Sequence, residues 1–560
     1  MVTERIVAAP RLLSGAKLDQ LVVIGFAALV AAPLLAFVAY PVWSILRLSF
    51  DTPAGLGFDH YLRYFSTARA VDIVTNTFAV AITTSAITIV LAYGVAYAFH
   101  RSMIPYKGLF RLIVLIPLFA PSLVQAQGLV LLLGRNGIIN RTFDAGIDIY
   151  GFWGIVIADV LYALPHAFLI LSAALAVADA RMYESATMLG ASRWRIFWTV
   201  TLPSTKYGLM SAVFIVFTVA ITDFGNPMVI GADFNVLATE MYNQVLGQAN
   251  FERGTVIGVV LLIPAAVAVA VERRVSQRQY ASISDQSRPL TVRPNPRFDA
   301  AMLGFTLLVC AAVLSVVGIV VFASFVHLWP YNMSFSLRHY YFDVQQGGQP
   351  LWNSIWVSLI AAVIGMAAAV SSAYLIHKFG NPATRFLYFL SILPAAVPGT
   401  VLGLGYILAF NDPANPLYTI YGTFLILAFC NVYHYHAQGF LISSTSIKQI
   451  SATFDEASAT LGAGFFRTMW KITVPLIWPT ILSVGVFFFM RSMVTLAAVI
   501  FLFTPSTQLA AISVLLLEDR GATNQAAAFS VSIIAIVVGT LIAAHLLLRL
   551  CRVRNVELIR

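Results

Sequence analysis

The sequence predicts an all-α polytopic membrane protein, with twelve transmembrane helices arranged as two homologous six-helix halves. Three observations predict it. Of 560 residues, 59% are hydrophobic and only 10% are charged. The apolar residues fall into runs long enough to cross a bilayer, separated by short polar loops. The text of the first half recurs in the second at a nearly constant offset.

Composition comes first. A soluble domain carries about a quarter charged residues, and no soluble core of this size could hide so much apolar surface. The net charge of +10 does not point to nucleic acid, because the basic residues sit in short clusters between apolar runs, as a topology signal would. Cys310, Cys430 and Cys551 are far apart and suggest neither a disulfide framework nor a metal knuckle. Arg5, Arg11 and Lys17 precede an apolar run from Leu21 to about Ile45. That run is too long for a signal-peptide core and is expected to remain as the first helix.

At about 20 apolar residues per crossing, the spans fall at roughly 21–45, 71–97, 110–134, 151–175, 207–230 and 255–271 in the first half. In the second they fall at roughly 300–326, 353–376, 386–411, 418–442, 477–503 and 526–548. Alternate loops are basic. One set holds Arg101 and Lys107, Arg181 to Lys206, Arg273 to Arg297, Lys378 and Arg385, and Lys448 to Lys471. The positive-inside rule puts this set and both termini in the cytoplasm, as for a multi-pass protein of the bacterial inner membrane.

The repeat is specific. Asn76, His100, Pro117, Pro121 and Gly128 recur 277 positions later as Asn353, His377, Pro394, Pro398 and Gly405. Glu184, Gly190, Arg195, Trp198 and Pro203 recur 272 positions later as Glu456, Gly462, Arg467, Trp470 and Pro475. The first half thus has five extra residues, expected in an outer loop near Asn136–Tyr150. The halves are expected at 1–285 and 286–560, joined through the polar stretch Glu272–Arg297. With six spans each they share one orientation, which implies a pseudo-two-fold axis along the membrane normal and a pathway at their interface.

The longest matched loops are ESATMLGASRWRIFWTVTLP (184–203) and EASATLGAGFFRTMWKITVP (456–475). Small residues after the glutamate allow close approach to a partner. Gly190 and Gly462 can take positive φ and turn one short helix into another. Trp194, Phe197 and Trp198 then share a helical face, as do Phe466, Met469 and Trp470. Pro203 and Pro475 are expected to end the short helix before the next span. Thr453 and Glu456 fit a capping box. A single such loop could be an interfacial amphipathic helix; two in equivalent places argue against that.

This loop resembles the EAA loop of binding-protein-dependent ABC importer permeases, and the resemblance covers the whole chain. It departs where Ser185 and Ser458 replace alanines and Val200 replaces an isoleucine. The resemblance implies the type I ABC importer permease fold. It also implies a coupling surface for an ATPase, carried here by Glu184, Ser185, Ala186, Gly190, Pro203, Glu456, Ala457, Ser458, Gly462 and Pro475. The chain has no Gly-Lys dipeptide and hence no phosphate-binding loop. It is expected to be no enzyme and to need no cofactor. Its expected partners are two copies of a cytoplasmic ABC ATPase subunit, an extracytoplasmic solute-binding protein and membrane lipid, with no nucleic acid.

The segments 221–248 and 493–521 look like the fused permeases of the ferric-iron and 2-aminoethylphosphonate branch. The wording FNVLATEMYNQV is closer to the phosphonate type, with ferric iron as the alternative. Ionisable and polar residues within spans are costly and mark pathways or helix–helix hydrogen bonds. On that ground Asp159, Asp223, Asn431 and Arg491 are candidate pathway residues. His434 and His436 read as polar residues of a span rather than as metal ligands, and no metal site is expected. The rival class is an ion-coupled secondary transporter, which would have no use for the paired loops. A membrane enzyme would need clustered His, Asp or Glu at one face, which the sequence lacks.

Overall fold

A computed structural model describes residues 11–53, 55–281, 290, 292, 294–341, 347–379 and 381–551. The expected boundary between the halves, 285/286, lies outside the described residues. The described residues are mostly helical. Among them, eight helices are long and apolar enough to cross a membrane, and up to eleven spans result if each of three bent helix pairs counts as one.

In the first half these are α1 (Val23–Phe50) and α2 (Ala68–Arg101), then the bent pair α3 (Lys107–Leu115) and α4 (Leu123–Leu133). There follow α5 (Phe152–Ala176), the short α6 (Ala180–Met188), α7 (Lys206–Ile221), the short α8 (Leu237–Tyr242) and α9 (Phe251–Ala281). The second half repeats the order. It has α10 (Pro296–Ser324), α11 (Gln349–Lys378) and the bent pair α12 (Pro382–Ile392) and α13 (Gly399–Phe410). It ends with α14 (Phe424–Lys448), α15 (Ala452–Thr460), α16 (Val474–Val494), α17 (Ala510–Asp519) and α18 (Thr523–Leu550).

Three sequence expectations are corrected. The stretches 110–134 and 386–411 are not straight spans but helix pairs bent by 105° and 112°. Each bend sits between paired prolines. Pro121 and Pro398 push the residues before them, Ala120 and Val397, into extended backbone, which ends the helix. The stretch 207–230 breaks after Ile221 and resumes only as the short helix Gly225–Ile230 before α8, and the stretch 477–503 stops being helical at Val494 and loops into α17. The tenth stretch is displaced to 424–448, and its polar run NVYHYHAQ keeps α14 out of the group that passes on hydropathy.

The repeat anchors now have physical reasons. Asn76 and Asn353 each donate a side-chain N–H to the loop before the following short helix, to the carbonyls of Asn235 and Gln508 at 3.3 and 2.9 Å. The next residues, Thr77 and Ser354, accept the first N–H of α8 and α17 from Leu237 and Ala510, at 2.9 and 2.8 Å. His100 meets Ser172 at 2.7 Å and His377 meets Ser444 at 3.0 Å. The first helix of each half crosses to the other half: α1 packs on α11, α12 and α13, and α10 packs on α2, α3 and α4. A Cβ at Gly128 would collide with the Val316 carbonyl of α10, and one at Gly405 with the Pro41 carbonyl of α1. Only glycine permits these two crossings.

Candidate functional site

Two regions concentrate unusual chemistry: a pair of helical elbows at the basic end of the bundle, and the seam between the halves.

In the first elbow, α6 begins at Asp179, whose carboxylate accepts the Arg181 N–H at 3.1 Å. It ends at Gly190, where φ is +75°, and Gly462 repeats this at +70°. After each glycine the chain doubles back through the bonds Ala191 N–H to Ala186 O and Ala463 N–H to Ser458 O, both 3.0 Å. A short second arm follows, Arg193–Ile196 or Phe465–Thr468, and each arm runs into a π-helical turn. Glu184, Ser185, Glu456 and Ala457 are exposed, Ala186 is half-buried and Ser458 is buried. The Ser458 hydroxyl hydrogen-bonds Thr468 at 2.6 Å and ties the two arms together.

Each elbow is fixed to the end of the second span of its own half. Arg101 donates to the Tyr183 hydroxyl at 3.1 Å and lies over its ring. Lys378 forms an ion pair with Asp455 at the equivalent place.

The structure adds residues that sequence reasoning passed over. Leu189 and Leu461, just before the glycines, are 87% and 85% exposed. Trp194, Trp198, Phe466 and Trp470 are exposed beside them. Large apolar side chains standing out of a basic surface mark an interaction site. The signal was in the sequence, a Leu-Gly pair in both copies 272 positions apart.

Two local expectations are corrected. Pro203 precedes a 69° bend, but Pro475 ends nothing: Phe465–Val494 runs as one helix through it. The preceding π turn and the place of Pro475 in the first turn of α16 make its missing N–H harmless. The bend in the first half falls at Thr205, whose hydroxyl bonds back to the Thr201 carbonyl at 3.0 Å and meets Tyr93. Its equivalent is Ile477, which cannot do this. Helix α15 is entered from Ser451, which accepts the Thr453 N–H at 3.4 Å, so Thr453 is inside the helix and not its cap.

At the seam, the four candidate pathway residues separate. Asp159 is 1% exposed and accepts an N–H from Asn226 at 2.8 Å. Asp223 accepts the backbone N–H of the same Asn226 at 2.9 Å. Asn431 donates to Ser492 at 2.8 Å. These three bind helices together within a half. Arg491 differs. Its guanidinium lies over the Tyr435 ring, 4.8 Å from the centroid, and reaches the Tyr162 hydroxyl of the other half. Among the described residues, no carboxylate forms an ion pair with it. Tyr162, His166, His434 and Arg491 all keep partial access, though they lie within the bundle. His434 and His436 point apart: His434 meets the Tyr435 ring edge-on, whereas His436 faces Ser372 at 3.4 Å. Among the described residues, no three His, Cys, Asp or Glu side chains group as a metal site.

A second polar contact crosses the seam. Gln127 of α4 donates to Glu518 of α17 and accepts from Ser530 of α18 at 2.9 Å. In the lengthened loop of the first half, Arg135, Asn140 and Arg141 line, with Tyr331, a cleft of about 670 Å³. Arg141 donates to the Pro330 carbonyl of the other half at 3.0 Å.

Comparisons with known proteins agree with this two-fold arrangement. The family described as binding-protein-dependent transport system inner membrane component matches twice, at residues 89–279 and 361–550. The ferric transport system permease protein FbpB of Actinobacillus pleuropneumoniae is 29% identical over 528 residues, which cover 90% of this chain and 75% of that one. A putative ferric transport system permease protein FbpB 1 of Haemophilus influenzae is 30% identical over 494 residues, covering 84% and 76%. A putative 2-aminoethylphosphonate transport system permease protein PhnV of Salmonella paratyphi A is 26% identical over 186 residues, 33% of this chain and 69% of that one.

Proposed function

This chain belongs to the family of binding-protein-dependent transport system inner membrane components, and on that premise we propose that it forms by itself the whole membrane pathway of an ATP-driven solute importer. As an ABC importer permease it works with an ATPase and a solute-binding protein. The observation that carries the finer reading is the pair of elbows. Two equivalent glycine turns at positive φ each present an exposed leucine, with tryptophan or phenylalanine beside it. One chain therefore offers two sockets' worth of contact to two ATPase subunits, with Glu184, Gly190, Glu456 and Gly462 at the contact. ATP-driven closure of the ATPases pulls the elbows together. Through the Arg101–Tyr183 and Lys378–Asp455 links, that motion reaches the second span of each half. The basic loops set the elbows and both termini in the cytoplasm, and the outer cleft toward the binding protein.

For the solute, two readings rest on different observations. The names of the relatives matched over most of their length favour ferric iron. The wording of segment 221–248 and Arg491, which has no carboxylate ion pair among the described residues, favour a phosphonate such as 2-aminoethylphosphonate. The test is uptake of radiolabelled ferric ion and of 2-aminoethylphosphonate by cells with and without this chain, its ATPase and its binding protein. ATP-dependent uptake of either should vanish in Leu189→Asp/Leu461→Asp cells that still hold the protein in the membrane. Uptake that survives loss of the ATPase would sink the importer reading in favour of an ion-coupled transporter.

A further inference from the structure

We propose that the seam holds an anion-binding site on the solute's path, built from Tyr162 and His166 of the first half and His434, Tyr435 and Arg491 of the second. The solute passes it as an oxyanion or coordinated by one. This rests on the permease reading above and adds the chemical class of what passes.

The argument begins with charge. Arg491 is a fixed cation inside the bundle, beside two phenols and without a carboxylate at ion-pair distance among the described residues. An unneutralised charge at membrane depth is costly and usually serves a ligand or a pathway. Neither nearby acid forms an ion pair with it: Asp159 and Asp223 each accept an N–H from Asn226 of their own half.

Access comes next. Tyr162, His166, His434 and Arg491 retain partial exposure, whereas Asp159 and Asn431, a turn away on the same helices, are buried. The accessible side of the seam therefore offers a guanidinium, a phenol and two imidazoles and none of these carboxylates. The Nδ1 atom of His434 is buried and has no hydrogen-bond partner. A guanidinium fork with hydroxyl and imidazole N–H donors around it matches an oxyanion. The same set would repel a bare multivalent cation at close range.

The site is also asymmetric. The first-half equivalent of Arg491 is Val219, so at this position the two-fold frame carries one cation and not two, as suits one solute at a time. An anionic solute such as a phosphonate would supply the oxyanion itself, whereas a ferric ion would have to bring one. Both share the chemistry the site recognises.

The experiment uses the full chain with Cys310, Cys430 and Cys551 replaced by alanine and His434→Cys introduced. Labelling rates are measured with an anionic reagent, 2-sulfonatoethyl methanethiosulfonate, and a cationic one, 2-(trimethylammonium)ethyl methanethiosulfonate. The anionic reagent should react faster, by about tenfold for one close uncompensated charge. Arg491→Gln should abolish the preference and Arg491→Lys should keep it. Equal rates, a preference indifferent to Arg491, or no reaction with either reagent would overturn the site. Tyr162→Cys replaces His434→Cys if the latter does not accumulate. Uptake into membrane vesicles separates the sources: 2-aminoethylphosphonate alone, or ferric ion with and without added phosphate. Uptake of ferric ion in strict absence of any oxyanion also overturns the proposal. Charge-selective labelling without ATP-driven uptake would leave the site standing and refute the importer. Uptake with no charge preference would do the reverse.

Discussion

The two halves of this molecule share a frame and differ in the side chains that lock it. Contacts between side chain and backbone, and places where backbones nearly touch, are repeated with the same residue type. Asn76 and Asn353 tether the same loop, and Gly128 and Gly405 admit the same crossing helix. One side-chain pair is also repeated, His100–Ser172 as His377–Ser444, but other side chain–side chain contacts at equivalent places have diverged. A cation over a phenol, Arg101–Tyr183, becomes an ion pair, Lys378–Asp455. The polar chain Ser530–Gln127–Glu518 faces, across the pseudo-axis, Leu404 packed by Val245 and Gly254. A backbone group has one geometry to satisfy, whereas a pair of side chains can be exchanged for another pair that fills the space and satisfies its own polar atoms.

The largest expected effect is at what the halves share. Gly190→Val and Gly462→Val each place a branched side chain where φ is positive, at a cost of about 1–2 kcal/mol or more. Nothing lies within 4 Å of the added Cβ, so the damage is to the turn and not to packing. Uptake should be nearly lost in each variant, with normal amounts in the membrane by immunoblot and weakened retention of the ATPase on purification. If only one glycine proves necessary, the functional symmetry of the elbows is broken even though their backbones match.

The next effect is at a place where the halves differ. Gln127→Leu copies the second-half residue Leu404 into the first half but leaves the half-buried Glu518 without its donor. Stranding an acceptor costs about 1–3 kcal/mol when it is fully buried, so at half-burial the purified chain should melt a few degrees lower. Glu518→Val added to it copies the Leu404–Val245 pair and should recover most of the loss. A single variant that melts like the parent would mean that water already serves Glu518. A double variant no better than the single would mean that the seams are not interchangeable.

What the sequence made legible follows the same division. Lipid solvation, the repeat and the positive-φ turns at Gly190 and Gly462 were readable because composition and backbone requirements are written locally. The bends between Pro117 and Pro121 and between Pro394 and Pro398 were visible as prolines yet passed as straight spans, since hydropathy counts apolar residues and carries no direction. Pro475 was read as a helix end because its residue type was weighed without the π turn before it. The partners of Arg491 were not readable at all. Tyr162 is 329 positions away and meets it only because the two halves pack face to face. For the same reason Asp159, equally rare inside a span, turned out to serve its own half.

The smallest expected effect sharpens the comparison at the elbow itself. In the second half the two arms are joined by the hydroxyl pair Ser458–Thr468. In the first, the equivalent residues Ala186 and Ile196 pack on Tyr183 and Val200 instead. Removing one partner, by Ser458→Ala, strands the buried Thr468 hydroxyl only partly, because that group also bonds back to the Gly464 carbonyl at 3.3 Å. The loss should be about 1 kcal/mol, small enough to leave abundance unchanged. It should appear as faster proteolysis after Arg467, inside the loosened arm. Ser458→Ala with Thr468→Ile transplants the first-half solution, and protection should return, since an apolar pair of fitting size replaces a satisfied polar one at little net cost. Protection that fails to return would locate the difference in the surroundings. Tyr183, on which Ala186 and Ile196 pack, has no counterpart in the second half, where Asp455 stands, so the two elbows would then be stable for separate reasons.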